Sequence, residues 1–118
     1  MMNLMNRGEI WLLGLDPTIG AEIQKTRPCV IVNSDEVGIL PLKIVVPVTD
    51  WKAWNARLPW MVRLEPSTEN GLTKVSAADA FQLRSVSHQR FVRRMGNLTE
   101  VEVQQITAAL SLVLKIRL

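Results

Sequence analysis

Residues 28–48 read PCVIVNSDEVGILPLKIVVPV, and this stretch decides the fold. Two apolar runs rich in β-branched residues, 28–33 and 43–48, flank a polar turn at 34–40 with room for one helical turn. Short runs of this composition bounded by turn residues form strands. Pro28 suits the first position of a strand. Pro47, inside the second run, predicts an edge strand or a bulge, because proline cannot donate to a sheet ladder.

The pattern repeats outward. Residues 9–15 (EIWLLGL) read as a strand closed by Asp16-Pro17, and 16–26 as a loop carrying Pro17, Thr18 and Gly20. The polar, tryptophan-bearing segment 50–58 reads as a loop and 60–64 (WMVRL) as a fourth strand. A turn at 66–71 leads to a fifth strand over 75–82 and a short sixth over 90–95. The end of the chain changes period. Thr99-Glu100-Val101-Glu102 is a capping box, with Thr99 as N-cap and Glu102 reaching back. Val103, Ile106, Leu110, Val113 and Leu114 then recur at helical spacing. Glu100 and Glu102 sit at the positive end of the dipole, and Lys115 and Arg117 at the negative end. This predicts a helix with one apolar stripe, packed on the sheet or against a second copy. The expected class is mainly β with α: a small, bent antiparallel sheet or barrel with a C-terminal helix, as one domain over 1–118.

Composition removes whole classes of function. With 47% hydrophobic and 21% charged residues in 118, the chain can bury a core and is not disordered. One cysteine, Cys29, and one histidine, His88, exclude an intramolecular disulfide, an all-Cys/His zinc site and a histidine pair for acid–base work. No metal and no cofactor are expected. Cys29 lies in an apolar run and reads as a small core residue. Met1–Asn6 is too short for a signal segment, and runs such as 44–48 fall far below spanning length, so a cytoplasmic protein without a membrane partner is expected. The net charge of +3 is mild, but nine of the 14 basic residues are arginine, the better planar donor to phosphate.

Three places can hold chemistry. In Gln24-Lys25-Thr26-Arg27-Pro28, two cations and a hydroxyl stand at a strand entrance, where Pro28 stiffens the backbone under Arg27. Arg27 can grip a phosphate through parallel hydrogen bonds; the alternative is that Lys25 and Arg27 are surface charges facing Glu22 or Asp16. In Pro47-Val48-Thr49-Asp50, Thr49 offers a hydroxyl donor, or simply ends a strand. Trp51 and Trp54 lie in a polar loop with Lys52, Asn55 and Arg57, the composition of a base-stacking platform or of rings that fold back on the core. Trp60 reads as core. The acid-free stretch 80–99, with Arg84, His88, Arg90, Arg93 and Arg94, reads either as a phosphate-tracking stripe or as a solvated edge.

Four motifs taken together, Arg7-Gly8-Glu9-Ile10-Trp11, Leu15-Asp16-Pro17-Thr18-Ile19-Gly20, Lys25-Thr26-Arg27-Pro28 and Pro47-Val48-Thr49, resemble the MazF/PemK toxins of type II toxin–antitoxin systems. The resemblance covers nearly the whole chain. It implies an SH3-like barrel, a homodimer, sequence-specific and metal-independent cleavage of single-stranded RNA (mRNA), and neutralisation by a cognate antitoxin. It maps the catalytic pair onto Arg27 and Thr49. Some members also carry an arginine two residues before an aspartate on the fifth strand; Asp79 matches the aspartate, but Ala77 stands at the arginine position. In the mechanism this implies, the RNA's own 2′-hydroxyl attacks phosphorus, Arg27 braces the phosphate, Thr49 holds a phosphoryl oxygen, and Glu22 or Asp79 takes the proton. Gln24, Lys25, Thr26, Trp51, Lys52, Trp54 and Arg57 would bind the RNA. The competing expectation is a non-catalytic small-barrel module that binds nucleic acid or a peptide.

Overall fold

The computed structural model describes residues 5–38 and 40–117. Of the Met1–Asn6 segment only Met5 and Asn6 are therefore covered, and Ile39 of the 34–40 turn lies outside the described residues. Seven strands precede one helix: β1 (Glu9–Gly14), β2 (Thr26–Ile31), β3 (Leu42–Asp50), β4 (Met61–Leu64), β5 (Ser76–Asp79), β6 (Arg84–Ser87), β7 (Phe91–Asn97) and α1 (Glu100–Leu114). Their order in the sheet is β4-β5-β3-β2-β1-β7, with β6 on β3, and every pairing is antiparallel. Short 3₁₀ turns occupy Ala53–Arg57, Ala80–Gln82 and His88–Arg90.

β3 organises the sheet, and here an expectation is corrected. Pro47 is not on an edge. Its strand pairs with β2 on one flank and, on the other, first with β6 up to Val45↔Arg84 and then with β5 from Val48↔Ala78. Residues 46–47 fall in the gap between those two ladders, where the chain leaves the sheet through the turn Ala80–Gln82. A residue without an N–H fits such an interruption. The fifth strand expected over 75–82 stops at Asp79, where this turn begins, and beyond the turn lies β6, a strand the sequence did not indicate. β2 begins two residues earlier than expected, because β1 pairs with it as far as Gly14↔Thr26. Arg27 thus sits on a strand rather than in a loop.

Alternation sends neighbouring residues to opposite faces. On one face Val30, Val46, Val48, Val62, Leu64 and Ala78 form the main core, closed by Val103, Ile106 and Ala109 of α1. On the other, Leu13, Leu15, Cys29, Ile31, Val45 and Val86 form a smaller core with Trp11, Ile23 and Phe91 against it. Each such aliphatic side chain contributes about 1.5–3 kcal/mol on burial. The helix starts as the sequence predicts: the Thr99 hydroxyl accepts the Glu102 N–H at 3.1 Å, and the Glu102 carboxylate accepts the Thr99 N–H at 2.9 Å. It ends at Lys115, in the left-handed conformation at φ 56°.

Among the described residues no ladder joins β4 to β7, so the sheet, which bends at β3, is not a closed barrel. The turn between β4 and β5 leans on β7 instead. The Asn97 N–H donates to the Glu69 carbonyl at 2.7 Å. Buried Asn70 ties the turn together, accepting the Ser67 N–H at 3.0 Å and the Leu72 N–H at 2.9 Å. The approach needs two glycines. A Cβ on Gly96 would run into the Glu69 carbonyl oxygen, and one on Gly71 into that of Met95.

Candidate functional site

Register assembles the site. β1 and β2 set Leu13 opposite Arg27, and β3 and β5 set Thr49 opposite Ala77. β4 and β5 set Arg63 opposite Ala77. The β2–β3 ladder ends at Cys29↔Pro47; its register, carried two residues past that end, brings Arg27 level with Thr49. Directly opposed residues project to the same face. Leu13, Arg27, Thr49, Ala77 and Arg63 therefore form one row across five strands, on the face away from α1. Leu13 and Ala77 are buried, Arg27 and Thr49 are half-buried, and Arg63 is exposed. In the middle of this row, Arg27 and Thr49 also border a cleft of about 190 Å³ whose other walls include Lys74 and, turned by alternation to the helix-covered side, Thr26, Val48, Asp50 and Ser76.

Arg27 is anchored lightly. Its Nε donates to the Gln24 carbonyl at 3.4 Å, and it makes no ion pair among the described residues. The carboxylates weighed as its partners, Glu22 and Asp16, are not paired with it. The preceding Lys25 holds φ at 70°, a conformation side chains rarely adopt, while its carbonyl accepts the Leu15 N–H at 2.9 Å. Local strain of this kind persists only where surrounding contacts fix it. Asp50 is paired with Lys74 at 2.7 Å, and that bond holds its carboxyl below the ordinary value.

Asp79 stands two residues from Ala77 on the same face of β5, opposite Met61. Its carboxylate accepts the Phe81 N–H at 3.1 Å and caps the 3₁₀ turn. Burial pushes its pKa above the ordinary value, against the opposing pull of the Phe81 and Gln82 backbone bonds. Glu22 lies elsewhere. Its carboxylate accepts the Ile19 N–H at 2.8 Å, and it lines a separate recess with Phe81, Gln82 and Arg84. Gln82 fixes the 16–25 loop there, accepting the Ile23 N–H at 2.6 Å and donating to the Ala21 carbonyl at 3.0 Å.

The tryptophan segment is a 3₁₀ turn, pinned by the buried Asn55, whose carbonyl oxygen accepts the Lys52 N–H at 2.6 Å. Lys52, Trp54 and Arg57 are exposed, Trp54 at 63%, so its ring is free of the core. Trp51 is half-buried, with the Arg63 guanidinium 5.6 Å above its ring centroid. Trp60 is partly buried against the main core. Gln24 and Lys25 are exposed beside Arg27.

Two arginines of the acid-free stretch are structural. Arg84 donates to the Leu15 carbonyl, and Arg90 to the Gly14 and Asp16 carbonyls, stapling the loop after β1. Cys29 is buried, and desolvation pushes its thiol up to about 12, which leaves it inert. Arg63 was not among the residues the sequence pointed to. Nothing local distinguishes it, and only the register reveals its place in the row.

The face therefore offers cationic and hydroxyl donors beside the buried carboxylate of Asp79, a set suited to charge on a phosphoryl group. A family profile described as PemK-like, MazF-like toxin of type II toxin-antitoxin system matches residues 6–114. The chain is 36% identical over 115 residues to "Endoribonuclease MazF9" of Mycobacterium tuberculosis, covering 92% of this chain and 95% of that protein. Its fold is similar to the crystal structure of MazF from Deinococcus radiodurans, with a TM-score of 0.80 and 20% identity, covering 98% of this chain and 100% of the other. It is also similar to a mycobacterial endoribonuclease in complex with its cognate antitoxin, with a TM-score of 0.75 and 18% identity over 96% and 97% of the two chains.

Proposed function

This chain belongs to the PemK-like, MazF-like toxin family of type II toxin–antitoxin systems, and we propose that it cuts single-stranded RNA at the row of Arg27 and Thr49. It is an endoribonuclease toxin. The observation that carries the site is that the β2–β3 register, carried two residues past Cys29↔Pro47, sets Arg27 level with Thr49 on the face away from α1, and both residues border one cleft.

The chemistry follows from what RNA supplies. Its 2′-hydroxyl oxygen attacks the adjacent phosphorus, the bond to the 5′ oxygen breaks, and a cyclic phosphate and a 5′-hydroxyl result. The protein must hold the phosphate in line, take one proton, return one to the leaving oxygen and steady the charge. Arg27 braces the phosphoryl oxygens, with its terminal nitrogens free to form the fork. The Thr49 hydroxyl donates to one of those oxygens. Asp79 is favoured over Glu22 as the proton acceptor. It stands on the same face beside the row, and its raised pKa brings it toward the working range of a general base. Because cations and hydroxyls neutralise the developing charge, the reaction needs no metal.

Lys25, Lys52 and Arg57 would follow the backbone, with Gln24 and Thr26 adding polar contacts. Trp54 would stack on a base. A cognate antitoxin would occlude this face, and the cytosol would be the place of action. A homodimer would cover exposed apolar side chains such as Leu112, 57% exposed on α1. The test is incubation of the purified protein with mixed-sequence RNA in EDTA. Discrete fragments with cyclic phosphate ends are expected. Activity that requires added Mg²⁺ would refute the mechanism, and binding without cleavage would leave the non-catalytic module.

A further inference from the structure

We infer that Arg63 is a second phosphate-binding residue of this enzyme, holding a phosphate other than the one at Arg27; the inference rests on the RNA-cleaving reading of the row. Three observations carry it. First, Arg63 shares the row with Arg27 and Thr49, and only Ala77 separates it from Thr49. With only a methyl group at residue 77, the Arg63 guanidinium lies across β5 over the Trp51 ring, 5.6 Å from its centroid, just past the end of β3. A larger side chain there would stand between them.

Second, the six arginines whose side chains bond within the chain divide by which nitrogen they spend on it; the side chains of Arg57, Arg93 and Arg117 bond to none of the described residues. Arg7, Arg84, Arg90 and Arg94 give terminal nitrogens to carbonyl or side-chain oxygens of the chain itself. Arg27 and Arg63 are each tied through Nε: Arg27 to the Gln24 carbonyl at 3.4 Å, and Arg63 to Glu65 at 3.0 Å. In both, the terminal nitrogens have no partner among the described residues. An arginine oriented in this way presents a free fork, the geometry that pairs with a phosphate.

Third, the two forks stand at different places. The Arg27 and Arg63 backbones are three strand spacings apart, at most about 14 Å on this bent sheet, and the Arg63 guanidinium lies by Trp51, two residues past Thr49, rather than at Thr49 itself. A single-stranded backbone lying along the row would meet Arg27 and Thr49 at the cut and Arg63 on one flank. With the Arg63 cation over it, one face of the Trp51 ring is occupied, and base stacking falls to Trp54.

The test compares wild type with Arg63→Gln, Arg63→Lys and Glu65→Gln, in RNA affinity against salt and in single-turnover cleavage. Arg63→Gln is expected to weaken binding about 5- to 20-fold at low salt. It should lower the slope of log affinity on log salt by about 0.7, the value for one lost phosphate contact to a single strand. The effect should fall on KM with kcat nearly unchanged, and the melting temperature should move by no more than about 2 °C, since the Glu65 pair is exposed. Arg63→Lys should restore the salt slope, and Glu65→Gln should leave affinity equal or tighter. An unchanged slope in Arg63→Gln overturns the inference, as does an equal loss in Glu65→Gln, which would assign the effect to the ion pair. If wild type neither binds nor cuts RNA, the reading beneath it falls as well.

Discussion

The two faces of this sheet are made by the same strands and have opposite fates. On β3, Val46 and Val48 point under α1 and are sealed, whereas Thr49, one residue on, stands half-exposed beside Arg27. The sealed face is aliphatic and closed by a fifteen-residue helix. The open face is apolar only toward one end, where Leu13, Cys29 and Val45 lie beneath the loop after β1, and becomes cationic and hydroxylic toward the other. A small domain can therefore keep stability and chemistry one residue apart, provided the register never slips, because a slip of one would bury Arg27 and expose Val30.

If the faces are independent, substitutions should separate cleanly. The largest effect is expected from Ile106→Ala beneath the helix. It should cost about 2–5 kcal/mol of stability in a denaturant melt, while the folded fraction cuts RNA at the wild-type rate per molecule. Arg27→Ala should do the reverse: cleavage falls about 10²–10³-fold with the melting temperature preserved. A variant that loses both together would show that the faces are coupled. Trp54→Ala sharpens the comparison at the rim. Its exposed ring should contribute about 1–3 kcal/mol to RNA binding, a 5- to 150-fold loss of affinity, with little change in stability. A large drop in melting temperature with affinity intact would return that ring to packing.

The smallest effect expected is electrostatic. Asp79 has a pKa raised by burial, so above its unfolded value the folded state binds more protons than the unfolded one. Its contribution to stability therefore declines as pH rises from the ordinary carboxylate range through the raised value. The difference in urea midpoint between wild type and Asp79→Asn, followed from pH 4 to pH 7, should shift steadily in favour of the variant as pH rises. Cleavage by wild type should fall on the acid side over that same window, since a general base must be deprotonated.

Where side chains act locally, the sequence was legible. The Thr99–Glu102 box marks the helix start because each partner needs only the next turn. The apolar runs at 28–33 and 43–48 mark strands because burial on both faces demands them. β6 was missed because Arg84–Ser87 offers a single large apolar side chain, Val86, and is a strand only through its pairing with β3. Pro47 misled because its missing donor is accommodated by a break between two ladders. Within the site, Arg27 and Thr49 stood in recognisable motifs. Arg63 did not, because its meaning depends on two strand registers. Likewise, the basic residues at 84 and 90 could not be told from surface charges until the carbonyls they staple were in view.

The turn at 66–72 has a consequence for how this protein tolerates change. Glu69 is an exposed loop residue remote from the helix-covered core, and by burial alone its surroundings would count as freely variable. Yet Gly96 meets the backbone of Glu69 and Asn70, Gly71 meets that of Met95, and neither can accept even a methyl group without moving a carbonyl. In a saturation library these two positions would behave like core, accepting glycine almost alone. The seam that holds the two ends of an unclosed sheet together is thus a constraint on sequence that leaves no hydrophobic signature.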